Sequence, residues 1–103
     1  MTPQPLAQDR IKAALAALPG WRFEGDALHR AWRFPDFAGA IAFMTDCVPD
    51  IDRLNHHPEW TNVYDRLTVR LTTHDAGNRV TDLDVALAKL LDWKAQALGA
   101  NDA

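Results

Sequence analysis

Two adjacent histidines followed by a proline, His56-His57-Pro58, fall in a stretch that neither a helical nor a strand pattern claims. Such loops, held by a scaffold, are where binding and catalytic groups concentrate. A third histidine, His74, lies at the predicted end of the strand that follows. Imidazoles titrate near neutrality, so a cluster of them can donate and accept protons within one turnover. Asp52 precedes His56 by four residues on the predicted last turn of a helix, close enough to orient an imidazole or accept from a substrate amino group. Asp84 follows Thr81 by three residues, the spacing of a capping box with Asp in place of Glu or Gln, which supplies a structural role for it. Trp60 and Tyr64 could stack on a flat ring, although aromatic residues in strands are more often core.

Acid and base chemistry competes here with two other readings of the same residues. In the plainest, the histidine pair is solvated loop and His74 merely ends a strand. In the other they bind zinc, but adjacent residues do not readily aim both rings at one ion. No HxxxH or CxxC accompanies them, and Cys47 stands alone. Nucleophilic catalysis lacks its parts, since the chain contains no serine and Cys47 has no histidine at helical spacing. His29 has no partner that raises it above packing.

The elements that must position these groups follow from periodicity. Ile11, Ala14, Leu15 and Leu18 form one stripe of a helix over about Leu6 to Leu18, stopped by Pro19-Gly20. Alternation from Trp21 to Phe34 around Gly25-Asp26 predicts a hairpin. Asp36 can cap a second helix whose Phe37, Ile41, Met44, Val48 and Ile51 share a side. Pro49 cannot donate to the carbonyl of Thr45, which predicts a kink or an early end there. A second hairpin runs from Trp60 to Tyr64 and from Leu67 to His74 around Asp65-Arg66. The last helix carries Leu83, Ala86, Leu87, Leu90 and Leu98. The order αββαββα predicts an α+β fold, a four-stranded antiparallel sheet with three helices on one face. The first five and last four residues read as loose. Pairing the two strands of the second hairpin brings His74 toward Trp60 and the histidine pair.

At 103 residues and 11.5 kDa the chain has room for one domain, 1-103, and its 48% hydrophobic and 24% charged residues are those of a globular protein. A net charge of -3 with no basic stripe argues against direct binding of nucleic acid. No apolar run is long enough for a membrane span, no signal-like pattern opens the chain, and Cys47 cannot pair within it, so a reducing cytoplasm is the expected location.

Taken together, these residues resemble the pterin-4a-carbinolamine dehydratases. Asp52, three spacers, His56-His57-Pro58, then Tyr64, His74 and Asp84 match that family's motif. The flanking LPGW, RAWRFPDF, Phe43-Met44, HHPEWTNVY and LTTHD also resemble it, over nearly the whole chain. The sequence departs at Asp52, where Glu is common, at Arg79-Val80, where Gly-Leu is frequent, and at Pro49. The resemblance implies loss of water from 4a-hydroxytetrahydropterin to give quinonoid dihydropterin, a recycling step after aromatic amino-acid hydroxylation. It implies His56, His57 and His74 as catalytic residues and Asp52, Pro58, Trp60, Tyr64 and Asp84 as substrate-binding ones. It implies no metal and no cofactor, the pterin being the substrate, and assembly as a homodimer or homotetramer. The alternative it carries is a non-catalytic assembly or coactivator protein on the same scaffold.

Overall fold

The computed structural model describes residues 3–103. Helix α1 (Gln8–Ala16) is followed by strands β1 (Arg22–Glu24) and β2 (Ala27–Arg33), helix α2 (Phe37–Leu54), strands β3 (Glu59–Val63) and β4 (Arg66–Leu71), helix α3 (Asp82–Ala97) and a short strand β5 (Asn101–Asp102). All pairings are antiparallel, in the order β1-β2-β4-β3, with β5 added to β2. Leu28, Trp32, Leu67, Val69 and Leu71 on one sheet face join Ile11, Phe43, Cys47, Ile51, Leu87 and Leu91 of the helices in one core. Trp32 is its centre, edge-on to Trp21 at 5.7 Å and to Phe43 at 5.4 Å between ring centroids. Thr61 and Thr68 on the opposite sheet face are exposed. The expected α+β fold is therefore present, with a fifth strand beyond the four expected.

The helices turn different faces inward from those the large apolar residues suggest. In α2 the buried residues are Ala40, Phe43, Cys47 and Ile51, whereas Phe37, Ile41 and Val48 are exposed. Small Ala40 and Cys47 let the helix approach the sheet closely, and the bulkier stripe lies on its flank. In α3 the inward stripe is Asp84, Leu87, Ala88, Leu91 and Ala95, leaving Ala86 and Leu98 at the surface.

Pro49 neither ends nor splits α2, which continues to Leu54 and closes on Asn55 in the left-handed conformation. Pro49 is exposed, so water can reach the Thr45 carbonyl that it leaves unpaired. Helix α1 is shorter than its stripe suggests because the chain turns before Pro19. Strand β4 loses its β3 partner after Arg70, which pairs with Glu59, and stops at Leu71, the last residue paired with β2, through Leu28. Thr73 instead bonds through its N–H to the Arg79 carbonyl at 2.9 Å, and His74 opens a single 3-10 turn, His74–Ala76.

The tail is more ordered than expected. Strand β5 pairs Asp102 with Trp32, and the Asp102 carboxylate meets the Arg30 guanidinium at 2.7 Å. Arg30 also donates to the Ala31 carbonyl at 3.0 Å and lies 5.1 Å from the Trp32 ring centroid. Gly20, at φ +86°, presses against that guanidinium, and a Cβ there would stand 2.6 Å from Cζ. Of the first five residues, 1 and 2 lie outside the described ones, and the residue just after the five, Leu6, is tied through its N–H to the Val80 carbonyl at 2.9 Å. No helix among the described residues is long and apolar enough to cross a membrane.

Candidate active site

The site forms where the second hairpin opens. Beyond the last paired residues, Glu59 and Arg70, Pro58 has no N–H with which to extend the ladder and β4 runs into its 3-10 turn. Between the two departing segments lies a cavity of about 280 Å³, lined by Asn55, His56, His57, Thr72, Thr73, His74 and Asp75, with Pro3 and Leu83 closing its sides. The three histidines expected to converge do so.

His56 and His57 are neighbours in sequence with opposite surroundings. His56 is buried, 8% exposed, and its Nε2 lies 2.6 Å from Asp84 Oδ1. The His57 side chain is 60% exposed, with its Nε2 3.2 Å from Asp52 Oδ1. Asp52, on the last turn of α2, thus reaches His57 rather than His56. His74 is exposed, and its backbone carbonyl accepts from the Gly77 N–H at 3.0 Å.

Asp84 has no exposed surface. Its Oδ2 accepts from the Thr81 N–H and from the Thr73 hydroxyl, both at 2.8 Å, which leaves Oδ1 for His56. The expected capping box is present, and the carboxylate that completes it also holds a histidine. The hydroxyl protons can be ordered. Thr81 Oγ1 accepts from the Leu83 N–H at 3.2 Å and lies 2.6 Å from Thr73 Oγ1. Because Thr73 spends its only hydroxyl proton on Asp84, Thr81 donates to Thr73. Every donor in the chain points toward the carboxylate.

The other motif positions lie elsewhere. Trp60 pairs with Val69 and packs partly against the core. Tyr64 is in the β3–β4 turn at the far end of the hairpin, 67% exposed and at φ 52°. Five strand residues separate it from Pro58, roughly 15–20 Å of extended chain. Neither residue lines the cavity, nor does Pro58. His29 bonds the Glu24 carbonyl through Nε2 at 2.9 Å. Sequence reasoning missed Asn55, Thr72, Thr73 and Asp75 as lining residues. For Thr73 a signal existed, as it falls on the inward side of the alternation in the second hairpin. Among the described residues no group of three or more His, Cys, Asp or Glu side chains is placed to hold a metal ion.

Residues 4–93 match the sequence model of the family described as pterin 4 alpha carbinolamine dehydratase. The chain belongs to that family. A protein of Opitutus terrae named as a pterin-4-alpha-carbinolamine dehydratase is 52% identical over 87 residues, which span 84% of this chain and 90% of the relative. One of Rhizorhabdus wittichii with the same name is 42% identical over 98 residues, 93% of this chain and 100% of the relative. The fold also matches the crystal structure of a transcriptional coactivator/pterin dehydratase from Brucella melitensis, with a TM-score of 0.84 and 37% identity, covering 89% of this chain and 99% of that one. Membership of the carbinolamine dehydratase family places the chain among hydro-lyases.

Proposed function

We propose that the protein dehydrates 4a-hydroxytetrahydropterin to quinonoid dihydropterin, with His56, His57 and His74 handling the protons. The observation that carries this reading is the convergence of three imidazoles on one small cavity, two of them paired with carboxylates. Hydroxide is a poor leaving group, so an imidazolium gives its proton to the 4a oxygen as the carbon–oxygen bond breaks. The N5 lone pair forms the new C4a–N5 double bond, and the N5 proton passes to a neutral imidazole. One water leaves and the protein regains its starting protonation after a proton is shared within the site. Acid and base roles are assigned to the cluster and not divided among its members. Asp52 orients His57 at the rim, Asp84 orients His56 from behind, and Asn55, Thr72 and Asp75 offer polar contacts to the pterin ring. The pterin is substrate, and the product returns to aromatic amino-acid hydroxylation after reduction.

Stopped-flow dehydration of freshly generated 4a-carbinolamine tests this. The wild type should outrun buffer, and His74→Ala should lose on the order of 10²-fold or more. A wild type no faster than buffer defeats the proposal.

Association of the chain with itself is supported by the exposed stripe Phe37, Ile41 and Val48 on α2. We infer that this stripe is covered by another copy of the chain, which would give the implied dimer or tetramer an apolar contact. Sedimentation should then show an oligomer that Ile41→Glu dissociates. A monomeric wild type removes the inference.

A further inference from the structure

We propose that Thr73 is a positioning residue for His56, acting through Asp84, and that it leaves Nδ1 as the His56 atom that exchanges protons with the ligand. The proposal deepens the dehydratase reading of the cavity. It starts from the ordered donors around Asp84, whose Oδ2 takes the Thr81 N–H and the Thr73 hydroxyl while Oδ1 faces His56 Nε2 at 2.6 Å. A carboxylate used in this way accepts hydrogen bonds only, so the His56 nitrogen facing it carries the proton. An imidazole has two ring nitrogens. With Nε2–H committed to a fully buried acceptor, the proton that comes and goes during turnover is carried on Nδ1.

Thr73 matters because it sits at the junction. It is 3% exposed, its N–H is fixed by the Arg79 carbonyl at 2.9 Å, and its hydroxyl receives from Thr81 and gives to Asp84. The residue after it is His74, so one short segment both opens the turn bearing one histidine and holds the carboxylate behind another. Removing the hydroxyl leaves Oδ2 with one donor and Thr81 without its acceptor. The carboxylate is then free to swing, and the imidazole it holds loses its fixed tautomer and direction. A purely structural threonine would affect stability without affecting the tautomer.

Ring-nitrogen NMR of His56 and dehydration kinetics, measured on wild type, Thr73→Val and Thr73→Ser, test the proposal. The wild type should show the Nε2–H form with a slowly exchanging ring proton. Thr73→Val should populate both tautomers and lower kcat by about tenfold or more, with KM within about twofold of wild type. Thr73→Ser should restore both. Thr73→Ala, which puts no methyl against Asp84, serves the same comparison if the valine variant does not fold. A wild-type His56 protonated on Nδ1 in its neutral form overturns the proposal, as does a hydroxyl-free variant that keeps the wild-type tautomer and kcat. The tautomer measurement needs no catalytic activity, so failure of the dehydratase reading and failure of this one give different results.

Discussion

Asp84 lies in the apolar stripe of α3 beside Leu87, Ala88 and Leu91 with no exposed surface, where a carboxylate must be fully paired to be tolerated. Its partners are supplied from three places: the helix cap, the segment after β4 and the loop after α2. Asp84→Ala leaves the Thr81 N–H, the Thr73 hydroxyl and the His56 Nε2 without an acceptor. Urea unfolding should show a loss of about 3 kcal/mol, together with a drop in activity. Asp52→Ala, at an exposed pair, should change stability by less than about 1 kcal/mol. The histidine cluster was legible in the sequence because hairpin pairing brings distant residues together. That Asp52 meets one of the histidines was legible because the spacing is local, but the four-residue step pointed to His56 and the contact is with His57. The difference between His56 and His57 was not legible, since it depends on a residue 28 positions away. Tyr64 shows the converse: matching motif spacing carries no information about which end of a hairpin a residue occupies. Cys47 belongs to this scale too. Burial, opposed by the Lys94 ammonium and reinforced by Asp46 and Asp50, pushes its thiol up to about 11, so it stays protonated at neutral pH. Alkylation at pH 8 should proceed only as fast as the protein unfolds.

Helices α2 and α3 are joined on the flank opposite the apolar stripe by Lys94, which reaches Asp50 at 2.8 Å and Asp46 at 3.2 Å. The hydrogen bond that Lys94 donates to Asp50 lowers the Asp50 pKa from its ordinary 3.8, and the same bond raises that of Lys94 from 10.5. The depressed carboxylate contributes stability above its unfolded value, lost as pH falls through the folded one. The raised ammonium contributes below its unfolded value, lost as pH rises through the folded one. Lys94→Met should therefore be most destabilising between these limits, with the difference from wild type shrinking on acidification below about pH 4 in an unfolding series. Helix existence and strand pairing were readable from periodicity. Helix rotation was not, because large apolar residues drew the predicted face toward Phe37 and Ile41 whereas close packing selected Ala40 and Cys47. The fifth strand was not readable either. It rests on Arg30 and Asp102, a pair whose partners are set by tertiary structure. Gly20 is fixed by the same guanidinium, and Gly20→Ala should cost more than about 1 kcal/mol from its positive φ alone.

At the scale of the whole molecule, one sheet covered by helices on one face leaves an opening where β3 and β4 part, and the three histidines occupy it. The strands fix the spacing, the end of α2 supplies Asn55, and the start of α3 supplies the carboxylate behind His56. No single element contains the site, so its geometry depends on the fold remaining intact. The most direct test of this account is the dehydration rate of His57→Ala, His74→Ala and the double variant, measured together by stopped flow on protein shown to be folded. Imidazoles acting on one reacting centre predict a large loss in each single variant and a double variant that loses much less than the product of the two. Single variants that match the wild-type rate would contradict the account.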